Sequence, residues 1–140
     1  MWTPARRRNE AATTTVHRHK LDNVLKLDAP ARCDYFVRKI ADFAAVWGLF
    51  DAGWATARQG GAIVIPFWPE AAFAAVCADA GWAACRPKLI SLADFLSRWL
   101  PGMARDGRLC AVFPVPGQAG LPMQPLDLLE RIAQEARQYE

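Results

Sequence analysis

Three observations predict an α+β fold for this chain. Apolar residues recur at helical spacing in some segments and cluster in short β-branched runs in others. Ten prolines and nine glycines punctuate these segments, so each element is short and sharply bounded. The 140 residues, 53% of them hydrophobic, suit a single domain with one sizeable core. The predicted order is α-β-β-β-α-β-α-β-α, with one small mixed or antiparallel sheet and helices packed on it.

Taken in order, Leu21, Val24, Leu25 and Leu27 give a turn or two of helix that Pro30 ends. Asp34 is the expected N-cap of a stronger helix, in which Phe36, Ile40, Phe43 and Trp47 form the apolar stripe and Arg38, Lys39 and Asp42 the polar one. Gly48 breaks it. Leu49-Phe50 and Trp54-Ala55-Thr56 then flank Asp51-Ala52-Gly53 as a hairpin, and a turn at Gln59-Gly60-Gly61 leads into the strand Ala62 to Phe67. Pro69 opens an alanine-rich helix with Phe73, Val76 and Cys77 on its buried stripe, ended by Gly81. A short strand follows at Trp82 to Cys85, closed by Pro87. Ser91 and Asp94 form a capping box for a helix lined by Leu92, Phe95, Leu96 and Trp99, which Pro101-Gly102 stops. Leu109 to Phe113 is a strand, Pro114 to Gly120 a loop, and Pro125 begins a last amphipathic helix through Leu128, Leu129, Ile132 and Ala136.

The net charge of +3 is unevenly spread. Residues 1–20 carry five cations against Glu10, which leaves twelve cations against thirteen anions in the remaining 120 residues. We therefore expect a basic disordered tail over 1–20 and one α+β domain over 21–140. A nearly neutral body has no footprint for duplex nucleic acid, whose binding rests on many phosphate contacts. The apolar runs are too short and proline-broken to cross a bilayer, and Arg6 to Arg8 are not followed by the apolar stretch of an export signal. Cys33, Cys77, Cys85 and Cys110 show no CxxC spacing, so a reduced, cytoplasmic setting is expected, with no zinc site and no other cofactor.

A set of motifs carries a resemblance. It comprises Asp34-Tyr35-Phe36-Val37-Arg38-Lys39-Ile40-Ala41-Asp42, Gly53-Trp54, Ile65-Pro66-Phe67-Trp68-Pro69 with Phe73-Ala74 and Cys77, and Pro87-Lys88-Leu89-Ile90-Ser91-Leu92-Ala93-Asp94-Phe95-Leu96. Trp99-Leu100-Pro101-Gly102, Asp106-Gly107, Ala111-Val112-Phe113-Pro114 and Gln138-Tyr139-Glu140 complete it. In this order they resemble an uncharacterised proteobacterial family, the domain of unknown function 2750, over roughly Ala31 to Glu140. The resemblance implies a soluble bacterial protein and supplies no catalytic residues. The segment Ile63 to Ala74 is also similar to a unit of small bacterial domains linked to secretion and toxin immunity.

Both histidines, His17 and His19, lie in the tail, so the body has no imidazole for acid/base work near neutral pH. Cys77 and Cys110 fall on apolar stripes and read as core residues. The carboxylates Asp34, Asp42, Asp51, Asp79, Asp94 and Asp106 are explained by caps, turns and an i,i+4 pair between Asp94 and Arg98. Gly60-Gly61 leads into a strand and is no phosphate loop. What remains is aromatic. Trp54, Trp68 and Trp99 have Lys88 and Arg98 nearby in sequence, aromatics and Arg are what protein-binding hot spots use, and Trp68 is expected to face a cleft at the end of the best strand. The leading expectation is a binding domain for another macromolecule, accessory or immunity-like, without catalysis. The alternatives are a small-molecule enzyme using carboxylates such as Asp42 or Asp94, and nucleic-acid binding through the tail.

Overall fold

The computed structural model describes residues 19–138. A short helix, α1, covers 19–25, so His19 and Lys20 are already helical. Asp28, rather than Asp34, caps α2 (Ala29–Phe43), accepting a hydrogen bond from Ala31 N at 2.9 Å. Pro30 belongs to the first turn of α2, where its missing N–H costs nothing, and so begins a helix instead of ending one. The helix stops before Trp47, because Ala44 takes a left-handed conformation (φ 54°) and the chain turns into β1 (Ala45–Phe50).

Gly48 is therefore a strand residue. A Cβ there would lie 2.9 Å from Trp54 Cζ3, so the bare backbone lets the indole of Trp54 lie across β1. The expected hairpin reduces to a bridge between Phe50 and Trp54, after which β2 (Ala57–Gln59) pairs antiparallel with β3 (Ala62–Phe67). Their turn uses Gly60 and Gly61 at φ 60° and 83°, as the sequence predicts.

Helix α3 (Ala71–Val76) starts two residues after Pro69, and a 3-10 turn (Ala80–Trp82) replaces the expected strand at Trp82 to Cys85. That strand lies further on, as β4 (Arg86–Ser91), and contains Pro87 instead of ending at it. β4 pairs only with β1, so Pro87 sits on an outer strand, where a missing donor is tolerated.

Ser91 caps the next helix as expected, accepting from Asp94 N at 3.1 Å. Pro101-Gly102 does not stop it. The short α4 (Leu92–Asp94) runs into a π-helical turn (Phe95–Trp99), in which Leu100 N reaches back to Phe95 O, and then into α5 (Leu100–Arg105). The wider turn accommodates a proline that a regular helix would resist.

Beyond it, β5 (Leu109–Val112) pairs parallel with β3, and the unpredicted β6 (Leu121–Met123) pairs antiparallel with β5. Helix α6 (Pro125–Arg137) closes the fold, burying Leu128 and Ile132.

The result is a single α+β domain with two sheets, β1-β4 and β2-β3-β5-β6. Trp47 and Trp68 join them, exchanging backbone hydrogen bonds of 2.9 and 2.8 Å. Phe67 O accepts from Phe113 N on the β5 side, so Trp68, one residue on, bonds toward the opposite edge. One core, built on Phe36, Ile40, Phe67, Trp68, Phe95, Phe113 and Leu128, unites helices and sheets.

Candidate functional site

Lys88 stands opposite Gly48 in the β1–β4 register, and its exposed side chain reaches the aromatic residues at the end of β1. Its Nζ lies 4.0 Å from the Phe50 ring centre and 5.4 Å from that of Trp54. From there the rings step inward edge to face. Phe50 and Trp54 are 5.1 Å apart, Trp54 and Trp99 4.8 Å, Trp99 and Phe67 5.7 Å, and Phe67 and Phe95 4.8 Å. Such contacts add about 0.5–1.5 kcal/mol per pair beyond the buried area, which makes the outer rings a firm surface.

The structure thus brings together Trp54, Lys88 and Trp99 of the expected residues. Arg98 is separate, pairing along its own helix with Asp94 at 3.9 Å and pointing to solvent.

Trp68 does not face a cleft. It is fully buried, its Nε1 donating to Pro114 O at 2.9 Å and its ring lying edge-on to Trp82. The reason is that β3 is covered on both faces: Phe67 packs under Phe95 and Trp99, while Trp68 packs against the segment after β5. The strand has no outward side to offer the residue that follows it.

Two features escape sequence reasoning. The first is a cleft of about 340 Å³ beside the Trp54–Trp99 pair, bounded also by Ile65, Met103, Asp106 and Arg108. Asp106 reads from sequence as a turn residue, which it also is. The second is Arg32, fully buried in α2. Its Nε donates to Phe113 O (3.1 Å), and one terminal nitrogen donates to Leu27 O (2.7 Å) and Gln118 Oε1 (3.2 Å). Burial pushes its pKa down, opposed by Asp28. Its spacing of four from Phe36 and eight from Ile40, on the apolar stripe of α2, is the signal that marks it.

The three buried thiols, Cys33, Cys77 and Cys110, are poor nucleophiles. Burial raises the Cys77 thiol to about 11 and that of Cys110 to about 12, and it raises Cys33 as well. All three therefore stay protonated near neutral pH. Cys77 Sγ donates to Pro114 O at 3.3 Å. Asp34 bonds Arg131, and Asp42 lines a hollow of about 410 Å³ walled by Leu92, Leu96, Leu129 and Ile132. Among the described residues no group of three or more His, Cys, Asp or Glu side chains is placed to hold a metal, and no helix is long and apolar enough to cross a membrane. Arg6 to Arg8, His17 and Arg18 lie outside the described residues, whereas Lys20 pairs with Glu70 at 3.7 Å.

No curated protein and no solved structure matches the chain. A family described as protein of unknown function, DUF2750, matches residues 33–132, a stretch that holds the core strands, Lys88 and both half-buried tryptophans of the cluster. The chain belongs to that family.

Proposed function

We propose that the chain is a binding domain of the bacterial cytoplasm that recognises another protein, as an accessory or immunity-like partner, and performs no chemistry of its own. The carrying observation is the Lys88–Phe50–Trp54–Trp99 ladder. An exposed ammonium is stacked on two half-exposed rings, which are braced through Trp99 by the buried Phe67. Rigid aromatics dominate binding energy at protein interfaces, because they bury a large area with little loss of side-chain freedom. The protonated thiols support the same reading, as does the lack of any histidine beyond His19 at the very start of α1.

The test is affinity capture from the native host with wild type, Lys88→Glu and Trp54→Ala. A partner held by the wild type should be lost from both variants while their circular dichroism stays native. Equal capture by all three would remove the reading.

A further inference from the structure

We propose that the cleft beside Trp54 and Trp99 binds a free α-amino acid with a large apolar side chain, in its zwitterionic form. The inference goes beyond protein recognition: the cleft shares Trp54 and Trp99 with the aromatic ladder, but Lys88 and Phe50 are not among its walls.

The chemistry of the walls carries it. Trp54 and Trp99 meet at 87°, forming a corner that Ile65 and Met103 extend into an apolar floor. At the rim stand two opposite charges, Asp106 and Arg108, both exposed and two residues apart on the loop that follows α5. Among the described residues neither forms an ion pair within 4.0 Å, with the other or with any third group. An apolar pocket with one anion and one cation at its mouth complements a molecule that carries an ammonium and a carboxylate on one carbon and an apolar body beyond it. The volume of about 340 Å³ lies at the small end of ligand pockets, roughly 300–1,000 Å³, and suits a metabolite rather than a long peptide.

The helix along the cleft supplies an independent argument. Within eight residues it holds a π-helical turn, an internal proline (Pro101) and an internal glycine (Gly102). The π turn, which accommodates the proline, and the glycine are both unfavourable relative to a regular helix, the glycine by about 1 kcal/mol relative to alanine. Packing does not demand the glycine, because a Cβ there would meet only the tip of the flexible Arg105 side chain, at 3.5 Å. What the missing side chain does is leave the cleft open, since Gly102 lies on its wall. Departures from local preference gathered at one cleft mark a place shaped for a ligand rather than for stability.

The experiment titrates the full chain with L-leucine and L-phenylalanine by calorimetry, and with L-leucine by tryptophan fluorescence. Saturable binding is expected, weakened roughly fivefold for leucinamide, which lacks the carboxylate, and for 4-methylpentanoate, which lacks the ammonium. Arg108→Ala and Asp106→Asn should each weaken L-leucine by a similar factor. No saturable binding of either amino acid, or binding of leucinamide or 4-methylpentanoate as tight as that of L-leucine, overturns the proposal. The analogue series needs no variant, so a misfolded mutant cannot obscure the result. Leucine binding without partner capture would strike only the protein-recognition reading, and capture without leucine binding only this one.

Discussion

The two faces of β3 hold tryptophans in opposite circumstances. On one face Trp68 is sealed, with its indole N–H on Pro114 O and its backbone bonded to Trp47. On the other, Phe67 supports Trp99, which supports Trp54, and these outer two keep part of their surface in solvent. The difference teaches that an indole serves the core when its donor finds a buried carbonyl, and that it can serve a surface when packing holds only its edge.

Substitution at the two places should separate these roles. Trp68→Ala should cost about 3–5 kcal/mol, the usual penalty for emptying a large buried site, and urea unfolding would measure it. Trp54→Ala should cost clearly less, and equal losses would break the comparison.

The sealed side depends equally on Arg32, which with Trp68 and Cys77 holds the segment Phe113–Gln118 from three directions. Arg32→Met keeps the bulk and removes the donors, leaving the carbonyls of Leu27 and Phe113 unpaired. A loss of about 2–3 kcal/mol in the same unfolding assay is expected, with the cleft side undisturbed in its fluorescence.

Alkaline pH sharpens the contrast more gently. Burial raises the Cys77 thiol from 9.0 to about 11, so its stabilising contribution is complete below pH 9 and fades as pH climbs from 9 toward 11, where the unfolded chain ionises first. Urea midpoints across that window should fall for the wild type. In Cys77→Ala they should fall less steeply, by up to about 1.4 kcal/mol per pH unit.

How much of this was legible beforehand follows from the physics of each element. The β2–β3 turn, β3, the Ser91 cap and the stripe of α6 depend on local chemistry and were readable from it. The end of α2 was not, because an alanine in a left-handed conformation carries no sequence mark. The helix through Pro101 was not, because a π turn removes the conflict that the proline announces. Of the site, Trp54, Lys88 and Trp99 were nameable by residue type. Trp68 was misplaced because strand alternation says which residues share a face but not that both faces are covered. Arg108 and Met103 join the cleft only through tertiary packing.

A π turn contains one residue more than the α turn it replaces, so the helix before Phe95 and the helix after Trp99 are out of phase by about 100°. Leu92 and Leu96 accordingly look toward α6, while Trp99 and Met103 look toward Trp54. Loss of a single codon from that stretch would restore uniform winding and swing the second half of the helix away from its neighbour. The whole recess is thus one insertion event removed from a plain helix, and one deletion from vanishing.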